Sequence, residues 1–100
     1  MQFYSGRCEW HNHATGELAR GDVTRATIKE DAIDLDVEWN AKKYRIRLIP
    51  KDGQWVGGAP GLCQVAISRC VPSGDGHDLF GPWSEEDVTF QFKAYLQPDE

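Results

Sequence analysis

The segment from Ala32 to Pro50 constrains this chain more than any other. Ile33, Leu35, Val37 and Trp39 alternate with Asp34, Asp36 and Glu38. After Asn40-Ala41-Lys42-Lys43 the alternation resumes, with Tyr44, Ile46 and Leu48 against Arg45 and Arg47. Successive side chains of a strand point to opposite faces, so a period of two sustained over this length requires two strands that share one buried face. Folding them so that Trp39 faces Tyr44 sets Val37 against Ile46 and Leu35 against Leu48 on the apolar side. The other side then pairs Glu38 with Arg45 and Asp36 with Arg47. A slip of one residue would place apolar side chains opposite charges, so the pattern selects one pairing.

The preceding segment makes a second hairpin by the same logic. Lys29-Glu30-Asp31-Ala32 is its turn, Ile28 faces Ile33, Ala26 faces Leu35, and Arg25 faces Asp36 on the outside. The acidic face of the middle strand is thereby flanked by arginines on both neighbours. Such exposed ion pairs contribute about 0.2–1 kcal/mol each. They set register, and they neutralise what would otherwise read as a basic recognition stripe.

Elsewhere the pattern agrees. Tyr4, Gly6, Cys8 and Trp10 mark a first strand, and Glu17 to Ile28 a long second one with a bulge or bend at Gly21. Cys63, Val65 and Ile67 form a fifth strand. Val88, Phe90, Phe92, Ala94 and Leu96 form a sixth. Ser84-Glu85-Glu86-Asp87 reads as a single helical turn capped by Ser84. The expected fold is one all-β domain over residues 1–100, a six-stranded antiparallel meander closed into a small barrel or a two-sheet sandwich. Its nearest shape is the calycin-like meander, an analogy of fold alone. Six strands with Trp10, Trp39, Tyr44, Phe90 and Phe92 pointing inward should fill their own interior, which argues against a deep ligand pocket. Arg20 and Asp22 are the candidates for polar groups facing inward.

Composition excludes several functions. Eleven Lys and Arg against sixteen Asp and Glu give a formal charge of −5, the wrong sign for a general binder of nucleic-acid backbone. The N-terminal residues lack the apolar block of a secretory signal, and no apolar run reaches the roughly 18 residues of a membrane helix. Three cysteines, Cys8, Cys63 and Cys70, fit a reduced, cytoplasmic thiol set better than a disulfide framework, although Cys8 and Cys70 could meet across strands. Cys63 and Cys70 on one extended strand lie about 23 Å apart, too far to bridge.

Two long connections, 50–61 and 71–87, carry Trp55, Phe80 and Trp83, which a merely solvated loop would not hold. The tryptophans either fold down as lids over the barrel ends or stand out as contact residues. Trp55, His77, Phe80 and Trp83 are the candidate binding residues of a protein-interaction or regulatory module that uses both segments as its contact surface. The acidic charge favours a basic protein partner, and an unpaired outer strand would offer an edge for a homodimer. On this reading Trp83→Ala abolishes partner binding and leaves the fold intact. The alternative is a calycin-like barrel that carries a small molecule. A third reading takes Glu9, His11 and His13, which share parity on a strand, as ligands of a first-row metal. The turn at Asn12–Gly16 interrupts that parity at His13. Ser73 and His77-Asp78 read as a polar turn rather than a hydrolytic centre, because adjacent residues rarely give a base and its orienting carboxylate the right geometry. No catalytic residue, cofactor or enzymatic activity is expected.

Overall fold

The computed structural model describes residues 1–99, and among them nine strands and no helix. The strands are β1 (Tyr4–His11), β2 (Leu18–Ile28), β3 (Ile33–Trp39), β4 (Lys42–Lys51), β5 (Gln54–Ala59), β6 (Cys63–Ile67), β7 (Arg69–Ser73), β8 (Gly76–Glu85) and β9 (Val88–Pro98). All pairings are antiparallel. Each strand pairs with the next, except that β6 and β7 both lie along one edge of β8, while β9 returns to pair with β1. Val65 opposite Trp83 joins β6 to β8 and closes eight strands into a barrel. The all-β barrel class is as expected, and the strand count is higher.

The additional strand, β7, continues the line of β6 past a one-residue irregularity. Val65 faces Trp83, whereas Arg69 faces Phe80, so one residue more is spent on the β6–β7 side. Ser68 sits at the break, and its N–H donates to the Phe80 carbonyl at 2.9 Å. This is how a bulge bends a strand away from a barrel wall. Beyond it, β7 has β8 alone as a neighbour, and Pro72 removes a donor from its free edge.

The segments expected to be long connections are therefore strands. Residues 50–61 hold the end of β4, all of β5 and a two-residue turn at Asp52-Gly53, where φ is +52° and +79°. Paired positive φ marks a type I′ turn, whose twist matches that of the strands it joins. Residues 71–87 hold most of β7 and all of β8, turning at Gly74-Asp75. The expected helical turn at Ser84–Asp87 is instead the end of β8 followed by a turn at Glu86-Asp87, with φ of +51° and +64°. Pro50 and Pro72 lie within β4 and β7, where proline is uncommon, and Gly57-Gly58 interrupts the apolar alternation of β5.

The hairpin of β2 and β3 has the predicted register, with Ile28 opposite Ile33, Ala26 opposite Leu35 and Arg25 opposite Asp36. The hairpin of β3 and β4 keeps its predicted parity but shifts by two residues. Val37 faces Tyr44, Leu35 faces Ile46 and Ile33 faces Leu48. The cause is the turn, which uses two residues rather than four: Asn40 and Ala41, at φ of +50° and +64°. The ion pairs move with the register, becoming Asp36–Arg45 at 3.5 Å and Asp34–Arg47 at 3.7 Å. The bulge expected at Gly21 lies three residues on, between Val23 and Arg25. Gly21 has another task. A Cβ there would lie 2.9 Å from the Trp10 ring and 2.6 Å from the Glu38 carbonyl oxygen, so its absence lets the indole lie close to β2. Arg20 and Asp22 face solvent.

Eight strands enclose an interior just wide enough for side chains to fill. Ile33, Leu35, Ile46, Leu48, Ile67, Leu79, Phe92 and Leu96 occupy its middle, and among the described residues no polar or charged residue is fully buried. These buried side chains fill the barrel's middle, whereas Trp10, Trp39, Tyr44 and Phe90, expected to fill it, line a cleft at one end. The three cysteines are unpaired. Among the described residues no helix is long and apolar enough to cross a membrane.

Candidate functional site

The two ends of this barrel are built differently. One is bordered by the connections at 29–32, 52–53 and 74–75 and by both chain termini. Here Ile28, Trp55 and Tyr4 pack partly buried against the core. The His77 ring meets the Tyr4 ring edge-on at 5.3 Å. This end is plugged.

The other end is bordered by the connections at 12–17, 40–41, 60–62 and 86–87. It opens into a cleft of about 210 Å³, lined by Trp10, Glu17, Leu18, Ala19, Trp39, Tyr44, Trp83, Glu85 and Phe90. Strand alternation puts these side chains there. Inward positions of β8 run Leu79, Gly81, Trp83, Glu85, so the carboxylate is the next inward residue after the tryptophan. Trp10 and Trp39 arrive from the ends of β1 and β3, and Tyr44 from the start of β4.

The aromatic rings brace one another. Trp83 is perpendicular to Trp10 (87°) and nearly so to Tyr44 (82°), each at 5.3 Å between centroids. Phe92 lies tilted beneath at 4.9 Å from Trp83. Edge-to-face packing of this kind contributes about 0.5–1.5 kcal/mol per pair beyond burial. Trp83 is 1% exposed and Trp39 38% exposed, so the first is floor and the second is rim.

Glu85 is the polar centre of the cleft. Its Oε1 accepts from Trp83 Nε1 at 3.2 Å, and its Oε2 accepts from the Tyr44 hydroxyl at 3.2 Å and from Lys42 Nζ at 3.3 Å. An ionised carboxylate offers about four acceptor sites, so one remains, on Oε1. The neighbours feel this arrangement. Burial, ahead of its charged neighbours, raises the Tyr44 hydroxyl above the ordinary tyrosine value. Hydrogen bonds that Lys42 donates to Tyr44 and then to Glu85 raise its ammonium above the ordinary lysine value. Cys63 lies beside the site, and burial raises its thiol, the opposite of what an activated nucleophile needs.

The four predicted binding residues are not brought together. Trp83 is on the floor of the mouth, inside the barrel rather than on a loop, and its burial contradicts the expectation that Trp83→Ala would leave the fold intact. Trp55 and His77 belong to the plugged end. Phe80 lies on the outer face, 6.5 Å from the Tyr95 ring and 5.6 Å from the Arg69 guanidinium. The His11 and His13 rings lie 4.4 Å apart, while the Glu9 carboxylate is 3.5 Å from the Tyr95 hydroxyl. Among the described residues no group of three or more His, Cys, Asp or Glu side chains is placed to hold a metal ion.

Glu85 and Tyr44 were missed as site residues. Glu85 was assigned to a helical turn, which hid its inward parity. The spacing Trp83-x-Glu85 at a strand end was the available signal. Two other surface concavities are lined largely by charged side chains, Arg7, Glu9, Arg20 and Asp22 in one and Arg25, Asp34, Asp36 and Arg45 in the other, and a third by Val56, Gln64, Ala66 and Pro82 with no charge. Comparison with family models, with curated proteins and with solved structures finds no match.

Proposed function

We propose that this barrel is a non-catalytic recognition module that takes a small ligand at its open mouth. The observation that carries the reading is the contrast between a solid interior and an end cleft of about 210 Å³ walled by aromatic rings around one hydrogen-bonded carboxylate. Binding sites are commonly apolar concavities with a few fixed polar groups. This one is smaller than the roughly 300 Å³ at which drug-sized sites begin, so its occupant is a fragment-sized molecule or the tip of a larger one. Catalysis has less support, since burial raises the thiol of Cys63 beside the cleft and no histidine is in the cleft's lining.

The test is a fragment titration followed through the indole N–H resonances. Fragments should shift the signals of Trp10, Trp39 and Trp83, lose affinity on Trp39→Ala, and keep it on Trp55→Ala. Absence of any saturable shift at millimolar fragment overturns the reading.

A second reading, contact with a protein partner, has one observation in its favour. Leu18, Trp39, Leu62 and Val88 are exposed large apolar residues, and all four stand on strands or turns at the mouth. A partner would seat on this rim and present a side chain to the cleft. Leu62→Glu should then disrupt the protein contact and leave fragment affinity unchanged.

A further inference from the structure

We infer that the ligand of the mouth is a methylated ammonium cation, an inference that rests on the ligand-binding reading above and names its chemistry. Trp10, Trp39, Tyr44, Trp83 and Phe90 surround the cleft, and Glu17 and Glu85 are the charged residues of its lining. Aromatic faces attract cations through the ring quadrupole, and attraction grows when the site is desolvated. A carboxylate at the same place adds a formal charge of the opposite sign.

The molecule already uses this device at the edge of the cleft. Lys42 Nζ lies 5.1 Å from the Tyr44 ring centroid and 3.3 Å from Glu85 Oε2. The mouth therefore stabilises one cation of its own through Oε2 of Glu85, while Oε1, which accepts from Trp83 Nε1 alone, keeps its negative charge toward a second by Coulomb attraction rather than by a hydrogen bond. Lys42 is the charge that opposes a ligand cation here. Against it stand Glu17 and Glu85 in the lining and Glu86 and Asp87 in the adjoining turn.

Size and solvation select the kind of cation. At about 30 Å³ of liquid volume per water, a cleft of about 210 Å³ holds about seven waters, or a trimethylammonium head with a short stem. A bare ammonium is strongly hydrated and loses that hydration against apolar rings, whereas methyl groups spread the charge and contact the rings directly. An anion is opposed by both carboxylates. A neutral apolar group of the same shape would cover the Glu85 carboxylate and offer it no charge in return.

The experiment titrates the intact protein with choline and with 3,3-dimethylbutan-1-ol, its neutral counterpart of equal shape, and reads the indole shifts. Choline should bind about tenfold more tightly, the fold-change given by roughly 1.4 kcal/mol of cation–ring and carboxylate attraction. Glu17→Gln, an exposed substitution, should weaken choline several-fold and leave the alcohol unchanged. Lys42→Met should strengthen choline by removing the competing cation. Glu85→Gln should weaken choline more than Glu17→Gln does. A trimethyl-lysine peptide, compared with its unmodified form, forms a second arm. Binding of the modified peptide assigns the cation to a protein side chain, and binding of choline alone assigns it to a free metabolite. Equal or stronger binding of the neutral alcohol overturns the cation assignment while the mouth keeps its ligand-binding role. No binding of either compound overturns both.

Discussion

The open mouth and the plugged end are made from the same eight strands, and they differ in what stands at the last inward position of each strand. At the plugged end those positions carry Tyr4, Ile28, Trp55 and His77, which fold across the opening. At the mouth they carry Trp10, Trp39, Tyr44 and Glu85, which stand around it. The turns differ too. The two-residue turns at the plugged end, Asp52-Gly53 and Gly74-Asp75, each place a glycine at positive φ. Those at the mouth, Asn40-Ala41 and Glu86-Asp87, hold non-glycine residues there. Left-handed backbone costs an L residue roughly 1–2 kcal/mol, and such strain tends to collect where a site must be shaped. The plugged end has one non-glycine residue at positive φ, Asp52, against four at the mouth, so the mouth carries more of the backbone strain.

The comparison breaks first at Trp83, which belongs to the mouth by position and to the core by burial. Trp83→Ala removes a ring packed on Trp10, Tyr44 and Phe92. A truncation of this kind costs about 3–5 kcal/mol, a large share of the 5–15 kcal/mol that holds a domain folded. The expected outcome in urea unfolding is a large fall in midpoint, with fragment binding weakened in whatever folded protein remains. An unchanged midpoint would mean that the ring is rim and not floor.

Alkali should act through buried groups in the mouth and the barrel's middle. Burial, with the Asp22 charge nearby, pushes the Cys8 thiol up to about 12 from 9.0, and Tyr44 and Lys42 are also raised. In all three the folded state holds its proton more tightly than the unfolded chain does. Their contribution is complete below the unfolded values and is lost as pH rises through the folded ones. Stability should hold level from pH 7 to about 8.5 and decline above about pH 9, by about 1.4 kcal/mol for each pH unit in which only the unfolded thiol is ionised. Cys8→Ala should reduce the part of the slope that begins near pH 9, and Cys63 and Cys70, whose thiols burial also raises, keep the remainder. A slope unaltered by that change would assign alkaline sensitivity elsewhere.

Trp39 and Trp55 sharpen the contrast as a matched pair. Trp55→Ala removes a half-buried ring from the plug and should lower stability by about 2 kcal/mol, with fragment affinity unchanged. Trp39→Ala removes a rim residue that is 38% exposed and should cost less than about 1 kcal/mol, with affinity lost. Equal effects of the two on unfolding and on binding would erase the distinction between the ends. His77 gives a smaller test of the plug. Its Nδ1 is buried with no hydrogen-bond partner in the structure, and an unmet group of this kind costs about 1–3 kcal/mol. His77→Phe keeps a ring against Tyr4 and should raise the urea midpoint by an amount equivalent to about 1 kcal/mol.

Most of the barrel wall was legible in the sequence, and most of the mouth was not. Parity in β3, β4 and β9 followed from apolar alternation, because one face of each strand meets the core and the other meets water. Register is a finer quantity. The β2–β3 hairpin came out right because Lys29–Ala32 does form its turn, with the Lys29 N–H donating to the Ala32 carbonyl. The β3–β4 hairpin came out two residues off because Asn40-Ala41 turns tightly with no glycine to announce it. In β5 the inward positions include Gly57 and Ala59, which carry little apolar signal. In β8 they include Gly81 and Glu85, and a carboxylate facing a cleft reads in sequence as one facing solvent. The site escaped notice because its chemistry depends on closure of β6 onto β8, a contact that local pattern does not encode.

The smallest expected effect separates turn strain from site shape. Ala41 sits at φ +64°, and glycine adopts that conformation without steric cost. Relief of about 1 kcal/mol is partly offset by the greater freedom of glycine in the unfolded chain, so Ala41→Gly should stabilise by about 0.5 kcal/mol. The turn lies between Trp39, which walls the cleft, and Lys42, which holds Glu85. If the strained turn only joins β3 to β4, the variant gains stability and binds fragments as before. If the strain aims Trp39 and Lys42, the same gain comes with weaker binding, and a second change of Asp52 to glycine at the plugged end would stabilise with no such loss. The pair of variants therefore decides whether backbone conformation at the open end belongs to the hairpin alone or also to the site.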